Sequence, residues 1–292
     1  MPDVTLSGGP LLDGPRRRLA RSVRLRIAGP DFAAERVRIW DAPGARWFGP
    51  EDPIWLVHDD AAMFVGGIRA LLLQSLHPVA MAAVADHSGY RSDPWGRLQR
   101  ISHFLAVTTY GPVPDAERSI DVVRAVHRTV RGTAADGTAY CADDPDLLSW
   151  IHVAEADSFL TAYQAFGPRP LSDTEADRYV AQTAQVAARL GVPEPPRSRA
   201  DIAERLAAFR PALASTPAAR DAAALLLADP PLTGSARPGY RVLAAGAVSL
   251  LPPWVRAELG LPTLPITDRL VTRPLARQLL GTLRWALQAP IS

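Results

Sequence analysis

Apolar residues recur at helical spacing along most of the chain and predict a succession of α-helices. Asp52 and Asp144 each precede a proline, which is typical of an N-cap followed by the first helical residue. Ser172 with Glu175 has the pattern of a capping box. The helix that begins at Pro53 is apolar nearly all round, so we expect it to be central. Helices are predicted at 53–76, 78–88, Pro94–Tyr110, 114–131, 145–166, 173–190, 200–209, 217–227, 240–250 and 270–287.

The pattern also indicates the domain organisation. It contains no alternation typical of strands and no repeat of fixed period, and no linker separates regions of different composition. We therefore predict an all-α fold with a single large helical domain over residues 51–292. Residues 1–50 are rich in Gly, Pro and Arg, and we interpret them as an N-terminal arm with a short helix near 32–40.

Composition excludes several classes of protein. The chain has 292 residues and a net charge of only +2, so no nucleic-acid partner is expected. All 32 basic residues are arginine, which excludes chemistry that depends on lysine. The single cysteine, Cys141, permits no internal disulfide and favours the cytoplasm. No apolar run reaches the roughly 18–20 residues of a transmembrane helix.

Candidate chemistry concentrates in residues 93–131, where a histidine lies in an apolar setting near several arginines. His127 falls on one helical stripe with Ile120 and Val123. An imidazole within an apolar face and guanidinium groups nearby could hold haem, with His127 on the iron and arginines on the propionates. The alternative is a hydrogen-bonded core histidine. The propionate candidates are Arg97, Arg100 and Arg124.

Three other histidines have competing interpretations. His77 at a helix break and His152 on the inner side of a long apolar helix either line a cavity or donate to a backbone carbonyl. The run His58-Asp59-Asp60 is better explained by solvated acids at a helix N-terminus than by metal ligands.

Three segments together resemble one family. LLLQSLHPVAMAAVADHSGYRSDPWGRLQR, VRAVHRTVRG and YCADDPDLLSWIHVAEADSFLTAYQAF are similar to mpaB-type oxygenase and rubber oxygenase (latex-clearing protein) catalytic domains. The similarity spans about 52–166, with a weaker match at LLPPWVRAELGLP. It implies a globin-like core around haem b, with His127 as axial iron ligand and Arg97 near the haem as a catalytic residue. The family chemistry is oxygen-dependent cleavage of an isoprenoid double bond.

The chain departs from the rubber oxygenase pattern at three positions. Arg100 replaces a lysine that can ligate iron, and arginine stays protonated and cannot do so. Ile101 replaces a threonine, and Asp86 is the acid nearest to the place of the family's glutamate. The sequence therefore favours a haem b-dependent oxygenase for a lipophilic, isoprenoid-like small molecule and dioxygen. A non-catalytic haem or lipid carrier, or a haem enzyme of desaturation, dehydration or peroxidation, is the alternative, and a homodimer is compatible with the sequence.

Overall fold

A computed structural model describes residues 10–232 and 234–290. Its elements in chain order are α1 (Pro10–Ala28), α2 (Phe32–Arg36) with a π-helical turn (Val37–Asp41), α3 (Pro53–His58), α4 (Ala62–Gln74), α5 (Pro78–His87), α6 (Pro94–Tyr110), α7 (Val113–Thr129), β1 (Arg131–Thr133), β2 (Ala139–Cys141), α8 (Pro145–Phe166), α9 (Asp173–Leu190), α10 (Arg199–Phe209) with a 3₁₀ turn (Arg210–Ala212), α11 (Pro217–Leu227), α12 (Ala236–Ser249), α13 (Pro253–Glu258), α14 (Pro265–Thr267), a π-helical turn (Asp268–Thr272) and α15 (Arg273–Leu287). Helices make up 71% of the structure, which confirms the predicted all-α class.

The centre of the fold is the pair α4 and α8, which pack along each other. Their facing side chains include Leu72 and Trp150, neither of which has accessible surface. Gly66 permits the close approach, because a Cβ there would lie 3.0 Å from the Phe159 ring and 3.3 Å from Ala162. Helix α12 packs on α4, and α15 packs in turn on α12. The predicted central position of the apolar helix is thus observed.

A second cluster of buried side chains joins α3 and α9 to the same α8 helix. Ile54, Val57 and Tyr179 are almost fully buried there. Because α8 contributes to both clusters, residues 53–287 share one continuous core. The division at residue 50 stays a prediction.

Several helices begin or end where the sequence predicts, and capping interactions are observed at these ends. The side chain of Asp93 accepts from the backbone N–H of Gly96 at 2.9 Å and begins α6. Ser172 and Glu175 form the predicted capping box. Gly191 ends α9 with a φ of 110°, a conformation in which glycine is favoured.

The single helix predicted at 53–76 is wrong, because the chain breaks into α3 and α4. Asp60 lies in the break and accepts from the backbone N–H of Ala62 at 2.7 Å. Its carboxylate also binds Arg284 of α15 at 2.6 and 2.7 Å. The side chain of Asp60 is only 7% exposed, so its interpretation as a solvated acid is also wrong. A carboxylate that caps one helix and binds another outweighs the local helical preference.

Several elements were not predicted, among them the short helices α13 and α14. A short antiparallel hairpin, β1 with β2, occupies part of the loop after α7, and Arg131 pairs with Cys141 in it. The region interpreted as an arm contains α1, which packs against α6 and α15. Arg24 of α1 donates to the carbonyls of Leu287 and Ala289 at 2.7 Å each. Residues 1–9 of the predicted arm lie outside the described residues.

Within residues 10–232 and 234–290, no single helix combines the length and the hydropathy needed to cross a membrane. The pair α4 and α5 meets both criteria only when taken together, and the two helices are bent by 110° relative to each other.

Candidate functional site

His127 lies near the end of α7, on the face of that helix that turns towards the protein. Ile120 on the same face is buried, and His127 is half-buried. Its Nδ1 atom is buried and has no hydrogen-bond partner among the described residues. Burial lowers the pKa of His127, and the carboxylate of Asp143 opposes this effect. The ring is therefore favoured in its neutral form, with an unpaired nitrogen.

α8 carries two more polar side chains in surroundings that are otherwise apolar. His152 has a buried Nε2 atom without a partner in the described part of the chain, and burial lowers the pKa of His152 to about 4. One turn further on, burial raises the pKa of Glu155 to about 7. A hydrogen bond from Gln74 and the charge of Arg97 act in the opposite direction, but burial outweighs both. Glu155 can thus gain or lose a proton near neutral pH.

Arg97 of α6 is the charged neighbour of Glu155. Burial lowers the pKa of Arg97, whereas the negative charge of Glu155 raises it. No carboxylate in the described ranges lies within 4.0 Å of the Arg97 guanidinium. The guanidinium is therefore not used in a close ion pair, and it is available to an anion.

The three residues Arg97, Glu155 and Gln74 come from α6, α8 and α4 respectively. Gln74 also donates to the carbonyl of Ile151 at 3.4 Å, which holds its amide close to α8. We call these three residues the Glu155 cluster. Among the described residues, no hydrogen bond joins the cluster to His127, and the charges that shift the pKa of His127 do not include Arg97 or Glu155.

Packing around this cluster is incomplete. The fully buried residues of α6 are its last four, 107–110, and those of α7 are Ala116 and Ile120. α6 packs mainly on α7, α1 and α3. Glu155 and His152 keep some accessible surface although burial dominates their pKa values. These two side chains are therefore shielded from bulk water although neither is completely enclosed.

The remaining sequence-predicted residues lie elsewhere. Arg100 is exposed and its guanidinium is 3.3 Å from the carboxylate of Asp93. Arg124 is exposed on α7. His77 caps α5, because its Nδ1 accepts from the backbone N–H of Ala80 at 3.3 Å. Its ring lies 6.2 Å from that of Trp150. His77 thus has a structural role. The predicted hydrogen bond was a donation to a backbone carbonyl, whereas the observed one is accepted from a backbone N–H.

Another buried histidine, His58, is linked to the cluster through Tyr179, because burial and the charge of Glu155 raise the pKa of Tyr179. Burial lowers the pKa of His58 to about 4, and its ring nitrogens lie 2.8 Å from Thr109 Oγ1 and 3.3 Å from the Tyr179 hydroxyl. A cavity of about 290 Å³ is lined by residues that include Asp157 and Trp254, and a second cavity has a volume of about 360 Å³. No predicted site residue lines either cavity. The described residues contain no group of three or more His, Cys, Asp or Glu side chains that could bind a metal ion. A non-haem metal centre of that kind is therefore not present among them.

Two of the positions at which the chain departs from the rubber oxygenase pattern, Ile101 and Asp86, have different surroundings in the structure. Ile101 is half-buried on α6. Asp86 is exposed at the end of α5 and accepts from the Tyr140 hydroxyl at 2.6 Å, so its carboxylate is already engaged with the hairpin. Asp86 is therefore poorly placed to replace the missing glutamate.

The fold and the site define an all-helical domain with a buried polar cluster. The family model described as "ER-bound oxygenase mpaB/B'/Rubber oxygenase, catalytic domain" matches residues 55–285. The match covers well over half of the chain, so the protein belongs to this oxygenase family. No curated protein and no solved structure matches the chain.

Glu155 and Gln74 were not among the predicted site residues. A signal for Glu155 does exist in the sequence, because it is an acid on a helix that is apolar on nearly all sides. Gln74 gives no such signal, since its role depends on where α4 ends relative to α8.

Proposed function

We propose that the protein is a haem b-dependent oxygenase for a lipophilic, isoprenoid-like small molecule, with His127 as the proximal iron ligand. The observation that carries the proposal is the buried, unpaired Nδ1 of a neutral imidazole on the inner face of α7, in a chain of an oxygenase family. A core histidine without a ligand would be expected to use its buried nitrogen in a hydrogen bond. His152 also has an unpaired buried nitrogen, so the choice of His127 rests in addition on the resemblance of its segment, VRAVHRTVRG, to the family.

The residues present fit the chemistry of haem. Iron binds a neutral imidazole nitrogen, and burial favours that form of His127. Arg97 offers a half-buried guanidinium without a close ion pair, which suits a propionate or a polar group of the substrate. Exposed Arg100 and Arg124 suit propionates only at the protein surface. His152 would line the haem pocket, whereas the ring of His77 is engaged as the cap of α5.

Haem b would supply redox-active iron for reaction with dioxygen. The chain's own residues have three roles in this proposal. The guanidinium of Arg97 binds a negatively charged group of the haem or the substrate near α6. The apolar side chains of α6 and α8 exclude water from the substrate. The carboxyl group of Glu155 holds a proton near neutral pH and can release it to, or take it from, a group bound beside Arg97.

A visible absorption spectrum tests the cofactor and its ligand. Protein purified with haem supplied should show a Soret band that is lost in His127→Ala and kept in His152→Ala. His103→Ala is a matched control, because His103 lies on α6 with an exposed side chain. Far-ultraviolet circular dichroism should show that all three variants are folded. A Soret band that persists in His127→Ala, or a protein that binds no added haem, would refute the proposal.

A haem or lipid carrier is the second candidate. Arg100 cannot ligate iron, Ile101 has no hydroxyl and Asp86 is engaged with Tyr140, so several groups of the rubber oxygenases have no equivalent. A third candidate is a haem enzyme of dehydration, desaturation or peroxidation, which the titratable Glu155 favours. Oxygen uptake that depends on a lipophilic compound supports the oxygenase, while haem binding without consumption supports the carrier. The cytoplasm is proposed as the location from the cysteine content alone.

A further inference from the structure

An exposed apolar strip lies at the start of the last helical segment, far along the chain from the residues of the candidate site. The chain is helical from Pro265 to Leu287, through α14, a π-helical turn and α15. Large apolar side chains in its first half are between 49% and 74% exposed. We call them the C-terminal strip: Leu264, Ile266, Leu270, Val271 and Leu275.

The strip is not the outer edge of a core. The side of α15 that packs on the protein carries different residues, Ala276, Leu280 and Leu283, which are all buried. Soluble chains tolerate single exposed apolar residues, but five within 12 positions form a contiguous surface of the kind that binds a partner.

The charges around the strip have one sign. Arg269, Arg273 and Arg277 lie among the apolar residues, and the one acid in residues 259–292 is Asp268. Asp268 is 13% exposed and forms an ion pair with buried Arg256 at 2.7 Å, so its charge is neutralised inside the protein. Arg269 is exposed. The surface is therefore apolar and cationic.

We propose that the C-terminal strip docks the protein on an anionic lipid surface. Apolar side chains would enter the boundary between headgroups and acyl chains, while Arg269 binds a lipid phosphate and the charges of Arg273 and Arg277 attract the anionic surface. The inference does not depend on the proposed haem chemistry.

A second copy of the chain fits the strip less well. A two-fold interface would place the same patch against itself, and thus Arg269, Arg273 and Arg277 against their own copies without an acid to pair with them. Stable interfaces also bury about 800 Å² on each partner, from roughly 20–30 residues, whereas the strip has five side chains on one helical segment.

Vesicle co-sedimentation tests the proposal. The full chain should sediment with vesicles of phosphatidylcholine and phosphatidylglycerol, and much less with phosphatidylcholine alone. Arg269→Gln should reduce the partition coefficient about fivefold, because one arginine near an anionic surface has about this effect. Ile266→Ser combined with Leu270→Ser should reduce it more than tenfold.

Val122→Ser combined with Val126→Ser is the matched control. These valines are 63% and 52% exposed on α7, in a segment that also contains the acids Glu117 and Asp121. The control should bind vesicles as the original chain does. Absence of binding to anionic vesicles, or equal binding by all variants, would overturn the proposal. So would a dimer in light scattering that the Ile266 and Leu270 substitutions dissociate, because the strip would then bind a second copy.

Discussion

Burial of Glu155 should make the stability of the protein depend on pH. Burial raises the pKa of Glu155 from 4.5 to about 7 in the folded protein. Below about pH 4.5 the carboxyl group is protonated in both the folded and the unfolded chain, so it has no effect on the pH dependence. As pH rises towards 7, the unfolded chain releases the proton while the folded chain keeps it. The free energy of unfolding must therefore fall with increasing pH in this interval.

The size of the effect follows from the two pKa values. At about 1.4 kcal/mol for each pKa unit, the gap between 4.5 and about 7 corresponds to about 3 kcal/mol when the carboxylate is fully ionised. Between about pH 5 and about pH 8 the contribution of Glu155 is about 2.5 kcal/mol. Glu155→Gln removes the titrating group but keeps an amide of similar shape. From about pH 5 to about pH 8, the original chain should lose about 2.5 kcal/mol more of its free energy of unfolding than the Glu155→Gln variant loses.

Urea unfolding at both pH values, followed by circular dichroism, measures this difference. Glu175→Gln is the control, because the pKa of Glu175 is held at about 2 by Arg169 and its carboxylate stays ionised throughout. Its substitution should change stability equally at both pH values. A Glu155→Gln variant with the same pH dependence as the original chain would refute the argument. Arg97→Gln should raise the pKa of Glu155 further, since the charge of Arg97 lowers it.

Two further predictions concern packing and ion pairing. Gly66→Ala should lower the free energy of unfolding by about 1–3 kcal/mol, because the new Cβ would be 3.0 Å from the Phe159 ring. Gly67→Ala, where nothing lies within 4 Å, should instead stabilise the helix by about 0.5–1 kcal/mol, and equal effects in urea unfolding would contradict the geometry. Asp60→Asn should lower the free energy of unfolding by about 2 kcal/mol, because the ion pair between Asp60 and Arg284 is lost. If Asp60→Asn has the same effect in a chain that already carries Arg284→Met, the ion pair is not the cause.

The helices that the sequence predicts correctly have signals within a few residues of their ends. Asp93, Ser172 and Gly191 act on their own segment of backbone, so their positions can be found without the tertiary structure. The apolar character of residues 62–74 likewise predicts a central helix, and α4 is central.

The errors occur where distant residues decide the local structure. Six arginines interrupt the apolar residues of α1, and Arg24 is bound to carbonyls at and just after the end of α15, more than 260 residues away. The break between α3 and α4 depends on Asp60 and its partner Arg284. The strands β1 and β2 have three residues each, which is too short for an alternating pattern to be recognised.

The candidate site shows the same limit. Helical spacing correctly places His127 on the inner stripe of α7, but it cannot show whether the ring finds a hydrogen-bond partner. Arg97, Glu155 and Gln74 come together only through the packing of α6, α8 and α4. Arg97 was predicted from its place in the family pattern, whereas the pKa of Glu155 results from burial and could not be obtained from its neighbours in the sequence.

Glu155 also shows why α8 differs from an ordinary core helix. One side of α8 includes Trp150 and Phe166, which are fully buried and stabilise the fold. On another side, an ionised Glu155 destabilises the folded protein by about 3 kcal/mol relative to an exposed carboxylate, which is a large fraction of the roughly 5–15 kcal/mol that holds a domain together. An apolar residue of similar volume would avoid this cost. A carboxyl group that titrates near neutral pH close to an arginine is suited to proton transfer, so the loss of stability lies at the residue for which we propose that role.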